Sequence, residues 1–210
     1  MAHQTLPEPV SLGGRRVLFI MAHEAEYGPH LRARFRPVMT GVGPVEAALH
    51  GALALGALAH AGDLPDLVVS IGSAGSRTCP LGEVFQARSV SWRDMDASPL
   101  GFTKGVTPFL DHPVDLPLAT PLALPSVRLS TGADIVSGDA YDALEAEMVD
   151  METFALARVC DHFGVPLMGL RGISDGPGEL AGLSDWTSLL MLLDERLAAA
   201  VDLLPAALSE

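Results

Sequence analysis

Four short clusters in this sequence carry side chains able to move protons or hold hydroxyl groups, and each directly follows an apolar run. Glu24 and Glu26 stand two apart beyond residues 17–21. On a backbone that is still extended, both carboxylates share one face and Ala25 takes the other. Taken alone, the pair reads as the solvated start of a helix. Ser70-Ile-Gly-Ser-Ala-Gly75 is a glycine-rich turn after a strand, with backbone N–H groups able to hold an anion or a hydroxyl. It lacks the spacing of a Walker loop or of a dinucleotide fingerprint. Val149-Asp150-Met151-Glu152 ends a polar stretch where a helix begins. A carboxylate there ordinarily compensates the helix dipole, but it also suits two vicinal ribose hydroxyls, which one carboxylate accepts together. Leu170-Arg171-Gly172-Ile173-Ser174-Asp175 places an Arg inside an apolar strand and an Asp at its end. A buried Arg requires a carboxylate partner, for which Glu26, Glu152 and Asp175 are the candidates.

The elements that must position these groups alternate. Residues 17–21 and 66–71 are continuous apolar runs of strand length, the pattern of strands covered on both faces. Residues 37–40, 84–92, 127–131, 134–136 and 165–173 are further strand candidates. Pro44 opens a helix over 45–61, which is nearly all Ala, Leu and Gly and so reads as buried all round. A helix over 151–163 closes at Gly164. Ser184 is placed to cap a last helix with Trp186, Leu189, Leu190, Leu193, Leu197 and Leu204 on one face. Strands alternating with helices predict a single α/β domain: three layers, with a central mixed, mostly parallel sheet flanked by helices. Ligands of such sheets sit beyond the carboxyl ends of the strands, where the four clusters fall. Residues 1–14 read as a loose leader, residues 15–210 as the catalytic domain, and 97–125 as a long surface excursion of the functional kind.

Composition narrows the partners. The chain has 210 residues, 49% apolar and 19% charged, with 21 Gly and a net charge of −13. That suits one domain with a substantial core. So acidic a surface, without a basic stripe, repels phosphate backbones and anionic lipids, so neither nucleic acid nor membrane is an expected partner. No stretch spans a bilayer without interruption, the run after Arg15-Arg16 is too short and too deep for a signal peptide, and Cys79 and Cys160 are spaced for no metal. A cytoplasmic protein is expected.

In order, Met21-Ala-His-Glu-Ala-Glu26, Thr40-Gly-Val-Gly43, Pro65-Asp-Leu-Val-Val-Ser-Ile-Gly-Ser-Ala-Gly75, Val136-Ser-Gly-Asp-Ala-Tyr141, Val149-Asp-Met-Glu-Thr153 and Arg171-Gly-Ile-Ser-Asp175 resemble the nucleoside phosphorylase and nucleosidase superfamily. Within it they resemble the 5′-methylthioadenosine/S-adenosylhomocysteine nucleosidases. The resemblance implies the nucleoside phosphorylase-like fold and a homodimer; no cofactor is expected, and no metal either, because Asp94 and Asp96 are loop acids with nothing else in the chain to complete a site. The resemblance also implies hydrolysis of the N-glycosidic bond of a purine nucleoside by water. Glu26 is then the carboxylate that activates the water, with Glu24 as the fallback. Ser73 and Arg171 are neighbours of that water and of the ribose. Met151 and Glu152 bind the ribose, Tyr141 stacks on the base, and Asp175, with Ser174 beside it, protonates N7 of the leaving purine. Val42, within Thr40–Gly43, belongs to the substrate set.

The chemistry needs one protonated and one ionised carboxylate: burial keeps the proton on Asp175, and the Arg171 charge favours an ionised Glu26. Phosphorylases of the superfamily bind phosphate with arginines, one near the first loop. Here that loop holds His23, Glu24 and Glu26, so water is the expected nucleophile. The chain departs from the pattern in a short stretch between Glu26 and Thr40 and at Gly176-Pro177-Gly178. Residues 92–105 resemble the loop that closes over the 5′ substituent, so that Leu100, Phe102 and Pro108 form an apolar wall for a methylthio group, donated to a neighbouring subunit. Arg93 and Lys104 would equally suit an anionic 5′ group. The alternatives are a nucleosidase for another nucleoside or nucleotide, a phosphorylase, and a nucleoside-binding protein without turnover.

Overall fold

The computed structural model of the chain describes residues 7–176, 178, 182 and 186–209. Its strands are β1 (Val10–Leu12), β2 (Arg15–Met21), β3 (Val38–Met39), β4 (Leu67–Ser76), β5 (Val84–Trp92), β6 (Leu116–Pro117), β7 (Ser126–Thr131), β8 (Met148–Asp150) and β9 (Leu167–Asp175). The helices are α1 (Pro29–Arg32), α2 (Pro44–His60), α3 (Thr153–Phe163), α4 (Leu190–Val201) and α5 (Leu204–Ala207). β2 pairs in parallel with β3 and β4, and β4 in parallel with β9. From β9 the sheet curls round through β5, β7 and β8 and returns to β4. Five strands therefore close a ring, with β1, β2 and β3 extending it on one side.

Alternation along a strand sends neighbouring side chains to opposite faces, so a strand covered twice must be apolar throughout. In β2, Leu18 and Ile20 join Leu55, Leu58 and Leu156 under α2 and α3. Val17, Phe19 and Met21 join Ile71, Leu170, Leu193 and Leu197 under α1, α4 and α5. The expected three-layer α/β architecture with a mixed sheet is what the chain adopts.

Several boundaries differ from expectation. Part of the leader expected at residues 1–14 is an edge strand: β1 pairs antiparallel with β2 across Gly13-Gly14, both at left-handed φ, as a two-residue hairpin turn of this hand requires. Residues 134–136 form a loop rather than a strand. The helix after Asp150 begins at Thr153, with Glu152 as its N-cap. The helix expected to be buried all round, α2, buries Ala47, Gly51, Ala54, Leu55 and Leu58 but exposes Val45, Leu49 and Leu53. Ser184 lies outside the described residues. Among the described residues, no helix is long and apolar enough to cross a membrane.

One buried acid fixes the chain just after β2. Asp194 on α4 accepts hydrogen bonds from the backbone N–H groups of His30, at 2.8 Å, and Leu31, at 3.0 Å. It thereby satisfies the open N-terminus of α1. A Cβ at residue 28 would meet that carboxylate, so the position is Gly. Asp194→Ala strands two backbone donors, and the expected loss is about 2–4 kcal/mol, read as a lowered urea midpoint in chemical denaturation.

Candidate active site

Glu24–Glu26 forms one turn of 3-10 helix directly after β2. With about three residues per turn, side chains two apart no longer share a face, and the two carboxylates part. Glu24 turns outward to Arg32 at 2.7 Å. Glu26 turns inward and is buried. Its Oε1 accepts hydrogen bonds from the Ser73 backbone N–H, at 2.8 Å, and from the Ser73 hydroxyl. Residue 72 is Gly because a Cβ there would stand 3.1 Å from Oε2. His23 closes the turn, its Nδ1 accepting from the Ala25 N–H at 3.1 Å.

Glu26 and Ser73 line a cavity of about 680 Å³ together with Val42, Met151, Glu152, Arg171, Ser174 and Asp175. The cavity lies where β2, β4, β8 and β9 end. The structure thus brings together eight of the residues expected from the sequence.

Arg171 differs from expectation in its partner. Its carboxylate is Asp150, not Glu26, Glu152 or Asp175: the guanidinium donates to Asp150 Oδ2 at 2.8 Å from Nη2. The remaining donors go to the Ser70 carbonyl at 2.8 Å, the Ser70 hydroxyl at 2.7 Å and the Thr153 hydroxyl. Asp150 in turn accepts from the Thr131 hydroxyl at 2.6 Å and from the Thr153 N–H at 3.1 Å. This network is the floor of the cavity.

Above it, Glu152 Oε1 accepts from the Gly43 N–H at 2.8 Å, bridging the start of α3 to the start of α2. Burial and then the Asp150 charge push the Glu152 pKa up to about 7, against the Gly43 N–H and the Arg171 charge. At the far wall, burial raises the Asp175 pKa above the usual carboxylate range, while hydroxyl donors from Ser174 and Tyr141 pull it down. Asp175, whose burial favours its protonated form, and a hydrogen-bonded Glu26 thus share one cavity.

Tyr141, expected to stack on the base, is not among the residues that line the cavity. It is 4% exposed and packs against Val136, Val149 and Leu144. Among the described residues, an aromatic in the wall is Trp186, whose indole N–H donates to the Ser73 hydroxyl at 2.9 Å. Its sequence signal was an apolar helix face, yet a Trp that is not fully solvated needs a partner for its N–H. Leu100, Phe102 and Pro108 do not line the cavity of their own chain either. Leu100 is 78% exposed, and Phe102 meets Phe109 edge-to-face with centroids 5.5 Å apart. Arg93 lines the cavity, but its guanidinium is held by the carbonyls of Ser130 and Asp150 and by Asp134. Asp94 accepts from the Ala133 N–H and Asp96 from the Ser98 N–H.

Fold and cavity together define a class, and comparison with known proteins agrees. A family model described as the Phosphorylase superfamily matches residues 122–204. The 5′-methylthioadenosine/S-adenosylhomocysteine nucleosidase of Actinobacillus succinogenes is 32% identical over 167 residues, 70% of each chain. A solved nucleosidase of the same description from Colwellia psychrerythraea, in complex with adenine, superposes with a TM-score of 0.78, covering 96% of this chain and 97% of that one at 19% identity. The futalosine hydrolase of Helicobacter pylori superposes at 0.74, covering 89% and 95% at 19% identity. The chain belongs to the 5′-methylthioadenosine/S-adenosylhomocysteine nucleosidase family of the phosphorylase superfamily.

The raised Glu152 pKa has a direct consequence for stability. Below pH 4.5 the group is protonated in both states. As pH rises, the unfolded chain releases this proton first, so stability falls until the folded group ionises near pH 7. Glu152→Gln removes that fall. Urea midpoints of wild type and variant are expected to agree near pH 4 and to diverge in favour of Gln up to pH 7, where the difference levels off.

Proposed function

We propose that this chain hydrolyses the N-glycosidic bond of a purine nucleoside of the 5′-methylthioadenosine or S-adenosylhomocysteine type, releasing adenine and a ribose derivative. The observation that carries the reading is the pairing, in one cavity, of a carboxyl whose burial favours its protonated form, Asp175, with Glu26 fixed by Ser73. Asp175 gives its proton to N7 of the base as the bond from C1′ to N9 breaks. A water held on Glu26 attacks C1′, and Glu26 takes the proton that the water loses. Glu152 accepts the ribose 2′ and 3′ hydroxyls, and Met151 packs against the sugar. Trp186 and Val42 supply apolar surface, and Arg171 positions the floor through Asp150. Stabilising the cationic sugar by nearby carboxylates is the electrostatic part of such catalysis.

Water rather than phosphate is the nucleophile. The two arginines lining the cavity are engaged, Arg171 by Asp150 and Arg93 by carbonyls and Asp134. Asp175 aside, Glu26, Asp134, Asp150 and Glu152 outnumber Arg93 and Arg171 in the wall, an acidic excess that disfavours an entering anion. No cofactor and no metal enter this scheme, and neither nucleic acid nor membrane is a partner. The catalytic domain takes in β1 and so begins at Val10 rather than at residue 15. Its two cysteines are free, which fits a cytoplasmic protein.

The acting form is a homodimer. Val45, Leu49 and Leu53 make an exposed apolar stripe on α2, continued by the half-exposed Val42 at the cavity rim. Exposed apolar surface of this kind marks an interface. Leu100, Phe102 and Pro108, which leave their own cavity open, then wall the 5′ end of a partner's.

Adenine release from methylthioadenosine in phosphate-free buffer tests the reaction. Wild type is expected to turn over, and Asp175→Asn to lose activity by roughly a hundredfold or more, the scale of one general acid. Release only when phosphate is added would make the chain a phosphorylase. Leu49→Glu tests the assembly by sedimentation velocity: the variant should run as a monomer, with a raised KM for methylthioadenosine. A wild type that is monomeric at working concentration would remove the shared-wall scheme.

A further inference from the structure

We infer that Tyr141 is a positioning residue for the proton donor: its hydroxyl holds one carboxyl oxygen of Asp175 while Ser174 holds the other. The inference rests on Asp175 being the acid of the proposed reaction. The Ser174 hydroxyl stands 2.6 Å from Oδ1 and the Tyr141 hydroxyl 3.4 Å from Oδ2. Two donors on opposite oxygens fix the rotation of the carboxyl about its last bond, which one donor alone leaves free. They also stabilise the carboxylate that remains once the proton has passed to the base.

The surroundings are shaped for this contact. A Cβ at residue 75 would collide with both the Tyr141 hydroxyl and Asp175 Oδ2, so β4 carries Gly where they meet. Val136 and Val149 pin the ring. The 3-10 turn that bears Tyr141 (Gly138–Ala143) is tied to the chain just past β4 by an ion pair between Asp142 and Arg77. Among the described residues, the charges near the pair are few. Arg93, after β5, acts on Tyr141. Asp139 and Asp142 share its turn, and Asp142 is paired. Gly75 on β4 and Val149 on β8 bring none. Burial raises the Tyr141 pKa, with the Asp175 charge as the next cause, so the hydroxyl stays a donor across the working range. The direction for Asp175 follows: it is raised by burial and lowered by these two hydroxyls, so losing one of them raises it further.

Two variants test this, Tyr141→Phe and Tyr141→Leu, with a readout that needs no substrate. The Asp175 carboxyl is followed by ¹³C NMR titration of the ligand-free enzyme, assigned by its loss in Asp175→Asn. In Tyr141→Phe its midpoint is expected to move up by about one unit, the scale of one hydrogen bond to a charged group. The alkaline limb of kcat should shift the same way, with kcat down roughly tenfold and KM near that of wild type. An unmoved midpoint in Tyr141→Phe overturns the inference, whether or not the variant is less stable. So does a Tyr141→Phe that behaves as wild type beside a Tyr141→Leu with raised KM, the pattern of a ring stacked on the base. A midpoint that moves in a protein with no nucleosidase activity would keep the Tyr141–Asp175 pairing and remove only the reaction assigned to it.

Discussion

The Arg171–Asp150 pair is the interaction on which the cavity is built. Both groups are buried under the site, with side-chain exposures of 3% and 1%. Two charges taken out of water gain little net stability unless their remaining donors and lone pairs are satisfied. Here they are: Ser70 and Thr153 take the other guanidinium donors, and Thr131 and Thr153 serve the carboxylate. The participants come from β4, β7, β8, β9 and the start of α3. One network therefore fixes the relative height of the strand ends that carry Gly72, Ser73, Glu152 and Asp175. Breaking one partner of such a pair commonly costs about 3–5 kcal/mol, so the floor cannot drift without unfolding its surroundings.

That floor also sets the electrostatics above it. Asp150 consumes the charge of Arg171, so the guanidinium is not available to a phosphate. Its carboxylate stands close enough to raise the proton affinity of Glu152. The other carboxylates are handled separately. Glu26 is oriented by Ser73, which is itself held by Trp186, a chain of donors from indole to hydroxyl to carboxylate. Asp175 sits where burial outweighs two hydroxyl donors. Acids of one kind in one cavity are thereby separated by what surrounds each of them.

The periodic features were legible in the sequence. Continuous apolar runs gave β2, β4 and β9, because strands covered on both faces leave no polar alternation to misread. The clusters after those runs fell in the cavity because strand ends are where an α/β sheet opens. What was not legible was direction. Whether Glu24 or Glu26 faces in depends on the chain turning into a 3-10 helix at once rather than staying extended, a turn capped by the His23 ring and followed by a helix whose N-terminus is satisfied by Asp194, distant in sequence. The partner of Arg171 was missed because Asp150 reads as a routine acid at a helix start. For Tyr141 the sequence declares an aromatic ring but not the way its hydroxyl turns, here toward Asp175. Composition also misleads on α2: all-round apolarity suggests burial, whereas Val45, Leu49 and Leu53 are exposed.

In the proposed reaction, the polar atoms around Asp175 make an aromatic hydroxyl useful there. A carboxyl that must give up a proton needs opposite things before and after the transfer. Burial favours the protonated form beforehand but penalises the carboxylate afterwards. Hydroxyls moderate that penalty without adding a charge, since each can accept from a carboxylic acid and donate to a carboxylate. A cation in the same place would strip the proton at neutral pH, and an apolar ring would leave the carboxylate unsolvated. Ser174 and Tyr141 lie between those limits. Gly75 is what lets the second of them reach, so a missing side chain on β4 belongs to the acid as much as the hydroxyls do.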